Sequence, residues 1–192
     1  MEENIEKNDN FYFIEAELLQ NRVIIWNSKD GSELYKNGFY GKPLGIRKPK
    51  STDFDRPLEL SLFETLYLLE KDKIILRDSI SKSIIDKKSF KEIAKKIHDR
   101  FEEKYIIYSN LRDKYVVRPG LKFGADFAVY EHGPGIDHAP FIVHVLPSNE
   151  VISAIEMVRA GRLATTVRKK FVIATINSDK TVSYYIFSWF KP

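Results

Sequence analysis

Apolar residues occur along the chain either in short strand-like runs or at the spacing of a helix face, and each change between the two patterns marks a predicted element. Residues 11–35 contain short apolar runs, of which VIIW is the most apolar, with Asp30-Gly31 as a turn signal. A small β-sheet is therefore predicted to open the chain. The following stretch GKPLGIRKPKSTDFDRP (residues 41–57) is rich in Pro, Gly and basic side chains, which predicts a loop facing solvent.

Two capping boxes predict the starts of helices. Ser61 pairs with Glu64 before TLYLLEKD, and Ser89 pairs with Glu92 before a longer helical stretch. Apolar residues of that stretch recur at i, i+3, i+4 and i+7, which is typical of one long helix with a buried face. They are Phe90, Ile93, Ala94, Ile97, Phe101, Tyr105 and Tyr108. The polar stretch RDSISKSIIDKKS between the helices is interpreted as a domain boundary.

Strand-like runs separated by Gly and Pro begin after Lys114, namely YVVRP, ADFAVY and PFIVHVL. Ser148 can then cap a helix through residues 150–167, before the strand-like runs KKFVIATI and TVSYYIFSWF. Strand, helix and strand in succession predict a βαβ crossover in a mixed sheet. The apolar stripe of that helix is imperfect and consists of Val151, Ile155, Val158 and Leu163.

The last strand-like run is apolar on both faces. Val182, Tyr184 and Ile186 alternate with Tyr185, Phe187 and Trp189. Such a strand has to be covered twice, and either the chain's own core or a second subunit can cover it.

These patterns together predict an α/β fold in two units. Residues 1–88 form a small mixed α/β domain, and residues 89–192 form a second domain that begins with the long helix and carries a mixed central sheet with flanking helices. The composition, 43% hydrophobic and 30% charged over 192 residues, is that of a folded protein. The net charge of +4 points weakly to a polyanionic partner.

Two compositional absences narrow the classes of protein. No cysteine occurs, which excludes disulfides and thiol chemistry and fits a cytoplasmic location. No run approaches the roughly 20 apolar residues of a membrane helix, and MEENIEKNDN lacks the apolar core of a secretory signal. We therefore expect no membrane partner.

Candidate chemistry is concentrated in YEHGPGIDHAPF (residues 130–141), whose Gly and Pro oppose helix and strand. A metal site is only weakly indicated, since His132, Asp137, His138 and Asp126 match no metal-binding spacing. A phosphate loop ending in GK[ST] and a GxSxG elbow are both absent. Acid/base chemistry remains: histidine transfers protons near neutral pH, and tyrosine is a base where cations lower its pKa.

Three segments of the chain resemble the archaeal tRNA-splicing endonuclease family. They are YVVRPGLKFGADFAVYEHG, the histidine before FIVHV, and RLATTVRKKFVIA. The resemblance covers roughly residues 104–192 well, and ELSLFETLYLLEKDKI extends it weakly over most of the chain. In that family a tyrosine, a histidine and a lysine cut the RNA, and the motif places them at Tyr130, His138 and Lys169. A helix arginine that grips a flipped-out base corresponds to Arg162.

The resemblance implies cleavage of precursor tRNA at both intron boundaries, where a helix is flanked by two bulges. The cut needs no metal or other cofactor, because the substrate's own 2′-hydroxyl attacks, and it leaves a 2′,3′-cyclic phosphate and a 5′-hydroxyl. A homotetramer is the favoured assembly, with a homodimer or a mixed complex as alternatives, and no DNA partner is expected. The family's acidic docking loop is reduced here to NSDK, in which Asp179 is alone.

Three alternatives stay open at this point. A metal-dependent nuclease would use Asp126, although the strand FIVHVL lacks the carboxylate and lysine expected beside it. A second possibility is a non-catalytic RNA-binding subunit, although such subunits tend to lose the three catalytic residues. Within the family reading, the short spacing from Tyr130 to His138 leaves His132 as a rival proton donor.

Overall fold

A computed structural model describes residues 13–121, 124–147, 149–166 and 168–187. Within those residues, two five-stranded mixed sheets and five helices follow one another along the chain. The predicted α/β class is therefore confirmed, while the boundary between residues 88 and 89 stays a prediction. No helix in the described ranges is long and apolar enough to cross a membrane.

The first sheet is built from residues 14–78. Its strands are β1 (Ile14–Leu19), β2 (Arg22–Ile25), β3 (Lys42–Pro43), β4 (Leu58–Leu60) and β5 (Ile74–Asp78). They lie in the order β3-β4-β2-β1-β5, in which β1 and β5 are parallel and the other neighbours antiparallel. Helix α1 (Ser28–Gly38) follows β2, and helix α2 (Leu62–Glu70) follows β4.

The turn predicted at Asp30-Gly31 is wrong, because both residues lie in the first turn of α1. The side chain of Asn27 caps this helix by accepting from the N–H of Lys29 at 3.0 Å, which makes Asn27 the stronger local signal. A Cβ on Gly31 would lie 2.9 Å from Cβ of Leu58. The glycine therefore permits close packing of α1 on β4.

The first capping box is confirmed and the second is wrong. Ser61 and Glu64 cap α2 reciprocally. Asp86, rather than Ser89, caps α3 (Lys87–Ile97), since its carboxylate accepts from the N–H groups of Lys88 and Ser89. The predicted long helix is also interrupted, because Arg100 adopts a left-handed conformation (φ 54°) before α4 (Phe101–Arg112) begins.

The second sheet confirms the predicted crossover. Its strands are β6 (Val116–Pro119), β7 (Phe127–Tyr130), β8 (Phe141–Pro147), β9 (Lys170–Ile176) and β10 (Val182–Phe187). They lie in the order β10-β9-β8-β7-β6, and β8 runs parallel to β9 while the other pairs are antiparallel. Helix α5 (Ala154–Thr166) makes the connection between β8 and β9.

Helix α5 differs from its prediction in start and orientation. It begins at Ala154 behind a reciprocal Ser153–Glu156 pair, and Ser148 lies outside the described residues. Three members of the predicted stripe face outward, since Val151 is 90%, Ile155 65% and Val158 41% exposed, whereas its fourth member, Leu163, packs on the second sheet. Three further residues of the helix pack there with it, namely Met157, Ala160 and Ala164.

Strand β10 forms an edge of the second sheet and its side chains stay exposed in the single chain. Tyr185 is 54% and Ile186 63% exposed. Trp189 lies outside the described residues. The alternative in which this strand is buried wholly inside its own chain is therefore wrong for the described part.

One continuous apolar core joins the two sheets. The ring of Phe63 on α2 stacks on Phe101 of α4 at 5.0 Å between centroids and meets Phe127 of β7 edge-on at 5.4 Å. Aromatic pairs of this kind add stability beyond the area that they bury. The core therefore packs the second sheet, through Phe127 of β7, against helix α2 of the first domain.

Candidate active site

The 131–140 loop joins β7 to β8 and is organised by one carboxylate. Asp137 Oδ2 accepts from the backbone N–H groups of Glu131 (3.0 Å) and His132 (3.1 Å), and Oδ1 accepts from that of Gly133 (2.9 Å). Burial raises the pKa of Asp137, but these three N–H groups outweigh it and leave that pKa below its ordinary value. The loop is thus held around an ionised carboxylate directly before His138.

Tyr130, His138 and Lys169 meet around Ala139. Tyr130 is buried in a small apolar cluster with Ala139, and Nζ of Lys169 donates to the carbonyl of Ala139 at 2.6 Å. His138 precedes Ala139 in the chain. The side chains of Tyr130 and Lys169 thus reach the residue that directly follows His138.

Strand register explains this convergence. In the antiparallel pair β7–β8, Val129 lies opposite Phe141, which places Tyr130 beside the start of β8. In the parallel pair β8–β9, Phe141 lies opposite Lys170, which places Lys169 beside the same point from the other side. The end of β7 and the starts of β8 and β9 therefore lie side by side, at the same end of the second sheet.

The three side chains line one open cleft of about 960 Å³. His138 is exposed in it, while His132 of the same loop is not among its lining residues. Arg162 does not line it either, and lies exposed on α5. The geometry thus brings together three of the four residues that the sequence motif singled out.

Residues of the first domain also line the cleft. They include three basic side chains, those of Lys42, Arg47 and Lys48, together with the carboxylates of Glu59 and Glu64, and Arg118 of β6 lines the cleft as well. The prediction of a solvent-facing loop over residues 41–57 is confirmed apart from the short strand β3, since Lys42, Arg47 and Lys48 are exposed, and these three side chains also line the open cleft. Nothing in the local sequence signals this placement, because the loop reaches the cleft only through packing of the two domains.

The pKa of Tyr130 is raised in the free protein. Burial raises it above 10.0, the Arg118 guanidinium opposes this, and the Asp137 carboxylate and Tyr35 reinforce it. Arg118 does lower this pKa, but less than burial raises it, so the condition under which a tyrosine readily acts as a base is not met by Arg118 alone. Tyr130 is a neutral phenol near neutral pH.

Comparisons with known proteins match both halves of the chain. A model of the tRNA intron endonuclease catalytic C-terminal domain matches residues 101–184, and one of the tRNA intron endonuclease N-terminal domain matches residues 14–90. The chain belongs to the tRNA intron endonuclease family.

Similar archaeal proteins extend over nearly the whole chain. A tRNA-splicing endonuclease of Hyperthermus butylicus is 46% identical over 184 residues, which are 93% of this chain and 99% of that protein. Proteins of the same name from Saccharolobus islandicus and Sulfolobus acidocaldarius are 40% identical over 181 and 182 residues, again covering 93% of this chain and 99% of theirs. The similarity supports a tRNA-splicing endonuclease function, and with it a precursor tRNA as substrate.

Asp126, the residue on which a metal-dependent nuclease would depend, is engaged in an ion-pair cluster in this family member. Its carboxylate lies 3.0 Å from Nζ of Lys104 and 3.0 Å from Nδ1 of His144, and it accepts from the N–H of Val145 at 2.8 Å. Burial raises its pKa, but these partners together hold the pKa well below its usual range. Among the described residues, no group of three or more His, Cys, Asp or Glu could hold a metal ion.

Replacing Asp126 by asparagine should lower the free energy of unfolding at pH 7 by about 3 kcal/mol, because Lys104 loses its buried partner. Since the folded-state pKa of Asp126 is depressed, its stabilisation is present above the unfolded value of about 3.9 and is lost as pH falls toward the folded value. The gap to the wild type, measured by urea unfolding, should therefore narrow below about pH 4. Asp55→Asn is the control, since the Asp55 side chain is 93% exposed, and a gap that does not change with pH contradicts the ion-pair assignment.

Removing the carboxylate that organises the 131–140 loop should slow cleavage. Asp137→Ala leaves three backbone donors without their acceptor, and the resulting displacement of His138 should lower the single-turnover rate by roughly 10²-fold. Asp78→Ala is a matched control, because Asp78 also accepts from two turn N–H groups, those of Ile80 and Ser81, away from the cleft. Equal losses in the two variants would show that the effect is general destabilisation.

Proposed function

We propose that this family member cleaves precursor tRNA at both intron boundaries in a bulge-helix-bulge structure, without a metal ion. The observation that carries the proposal is the meeting of Tyr130, His138 and Lys169 around Ala139 in one open cleft. A phenol, an imidazole and an ammonium provide a proton acceptor, a proton donor and a positive charge at a single phosphodiester. The domain boundary at residues 88 and 89 is part of this proposal.

The proposed reaction is an internal transesterification. Tyr130 takes the proton of the ribose 2′-hydroxyl, and the 2′-oxygen forms a bond to the adjacent phosphorus. His138 gives its proton to the departing 5′-oxygen as the bond between phosphorus and that oxygen breaks. Lys169 balances the extra negative charge of the phosphorane, and the products are a 2′,3′-cyclic phosphate and a 5′-hydroxyl.

The raised pKa of Tyr130 gives this scheme a pH signature. Only the phenolate can accept the proton, and its fraction rises tenfold per pH unit below its pKa. In the range of about pH 4 to 6, where histidine is largely protonated, the cleavage rate should therefore rise about tenfold per unit.

Substrate recognition is proposed to depend on shape and charge. Bulged nucleotides expose backbone and base edges that an A-form helix hides, so the cleft can select them with little sequence preference. Lys42, Arg47 and Lys48, which line the same cleft as His138, provide positive charge for the phosphates. Arg162, exposed on α5, is proposed to hold a flipped-out base outside the cleft itself.

The proposed assembly is a homotetramer, with a homodimer or a mixed complex as alternatives. The exposed apolar side chains of the edge strand β10, Tyr185 and Ile186 among them, support pairing with a second subunit. The reduced acidic loop around Asp179 weakens the case for the tetramer, and sedimentation equilibrium of the purified chain decides between these states. A cytoplasmic location stays a prediction.

A cleavage assay with the purified chain tests the function. A bulge-helix-bulge RNA should be cut at two positions in the presence of EDTA, with cyclic phosphate and 5′-hydroxyl ends identified by end-labelling and mass spectrometry. Activity that is lost in EDTA and restored by Mg²⁺ would support a metal-dependent nuclease instead. RNA binding without any cleavage by the chain alone would support a non-catalytic subunit.

A further inference from the structure

The residues directly after α1 connect the first domain to the second domain beside the cleft. Arg112 of α4 donates to the carbonyl of Gly38, and Nη1 of Arg118 on β6 donates to the carbonyl of Phe39 at 2.5 Å. The guanidinium of Arg112 also stacks on the ring of Tyr40, 4.0 Å from its centroid. Two arginines of the second domain thus hold consecutive carbonyls of the first.

A buried carboxylate anchors the same connection from the other side. Glu64, which is 3% exposed, accepts from the N–H of Gly41 at 2.9 Å and pairs with Nη1 of Arg118 at 3.1 Å. Its second oxygen accepts from the N–H of Ser61 in the α2 capping box. Glu64 therefore ties the segment that follows Phe39 to the Ser61 cap of α2 and to Arg118 of β6.

The ring of Phe39 packs on the 131–140 loop at Gly133. A Cβ on Gly133 would overlap carbon atoms of that ring, and the backbone of Gly133 has φ +138°, a conformation that suits glycine. The ring is itself fixed by an edge-on contact with Tyr35, with centroids 5.3 Å apart. The first domain therefore presents a rigid aromatic surface to the loop.

Gly133 is linked to His138 through hydrogen bonds to Asp137. Its N–H donates to Oδ1 of Asp137 at 2.9 Å, and its carbonyl accepts from the N–H of Asp137 at 3.1 Å. Asp137 is the residue before His138. A shift of Gly133 consequently moves the backbone that carries the imidazole.

We propose that Phe39 is a positioning residue for the cleavage step, through which the N-terminal domain sets the place of His138 in the cleft. The inference rests on the proposed function. Loss of the ring leaves the loop unsupported on that side, so the chemical step suffers while the basic side chains that line the cleft still bind RNA. A misplacement of about 1 Å is enough to cost roughly 10²-fold in rate.

Single-turnover cleavage separates positioning from general stability. Phe39→Ala should cut 10- to 100-fold more slowly with the Kd for RNA changed less than threefold, and Phe39→Leu, which keeps an apolar side chain over Gly133, should recover part of the rate. Phe54→Ala is the matched control, because Phe54 meets the same Tyr35 ring at 5.7 Å from within the first domain. Wild-type rates for Phe39→Ala, or equal losses in Phe39→Ala and Phe54→Ala, overturn the proposal.

A readout independent of activity distinguishes failure of this inference from failure of the proposed function. Amide hydrogen exchange at Glu131, His132 and Gly133 reports the hydrogen bonds to Asp137, and it should accelerate in Phe39→Ala but not in Phe54→Ala. If the wild type cuts no RNA but this difference is found, the function is wrong and the contact is right. Unchanged exchange at these three amides overturns the inference whatever the activity.

A double-mutant cycle tests the contact itself. Gly133→Ala should slow cleavage in the wild type, where the new methyl group meets the Phe39 ring and the backbone is strained. In the Phe39→Ala background only the strain remains, so the same substitution should cost less. Strict additivity of the two effects would show that Phe39 and Gly133 are not coupled and would overturn the proposal.

Discussion

Replacing His138 by alanine should lower the single-turnover cleavage rate by roughly 10² to 10⁴ and leave the Kd for RNA nearly unchanged. The imidazole lies exposed in the cleft, next to the peptide unit that Tyr130 and Lys169 contact. Without it, the departing 5′-oxygen leaves as an alkoxide or takes its proton from water.

His132→Ala is the matched control for this prediction. His132 belongs to the same loop, but its side chain is not among the residues that line the cleft. We expect at most a small change in rate and an unaltered pH profile. An unchanged turnover in His138→Ala together with a large loss in His132→Ala would assign the acid role to His132.

A substrate with deoxyribose at the cleavage position should not be cut detectably. The proposed nucleophile is the 2′-hydroxyl of that nucleotide, and an oriented intramolecular group has an effective molarity of about 10⁵ to 10⁸ M that water cannot replace. The deoxy RNA should still bind and should inhibit cleavage of the all-ribose RNA competitively. Gel-based single-turnover assays measure both effects.

The position of the substitution supplies the control. Deoxyribose one nucleotide to the 3′ side leaves the attacking hydroxyl in place, so that RNA should be cut at a rate close to the unmodified one. Cleavage of the first substrate, with a 3′-phosphate or 3′-hydroxyl product, would mean that water attacks the phosphorus. That result would contradict the role proposed for Tyr130, which is to take the proton of the 2′-hydroxyl.

The elements of the fold were predictable where one strong local signal acts alone. The Ser61–Glu64 box caps a helix as expected, and the alternation of strands and helix after Lys114 gives the observed crossover. Prediction failed where two signals compete within a few residues. Asp30-Gly31 suits a turn and a first helical turn equally, and Asn27 decides between them.

Tertiary packing accounts for the remaining errors. The left-handed Arg100 divides a continuous apolar period into two helices, and no residue type there announces it. Val151 and Ile155 satisfy a helical spacing and yet are exposed, because the second sheet packs against Met157 and Ala160 instead. Propensity and period report on one element at a time, whereas these outcomes depend on how elements pack together.

The candidate site shows the same division. The residue types at positions 130, 138 and 169 came from a sequence motif, but their approach to Ala139 depends on two strand registers that no single segment encodes. The sequence could not place Lys42 and Lys48 beside the cleft, because they reach it from the other domain. The hydrogen bonds of Asp137 within its own loop do have a local sequence signal, since an aspartate near glycines commonly accepts from turn N–H groups.

The stacked rings of Phe63, Phe101 and Phe127 constrain how such enzymes can be recombined. A chimaera that joins the first half of one relative to the second half of another must preserve the fit among these three side chains. If the chain were divided between the halves, Phe63 on one fragment and Phe101 and Phe127 on the other would be exposed to water. A half taken from a relative is therefore expected to fold stably with this chain's other half only if the aromatic residues at their contact match.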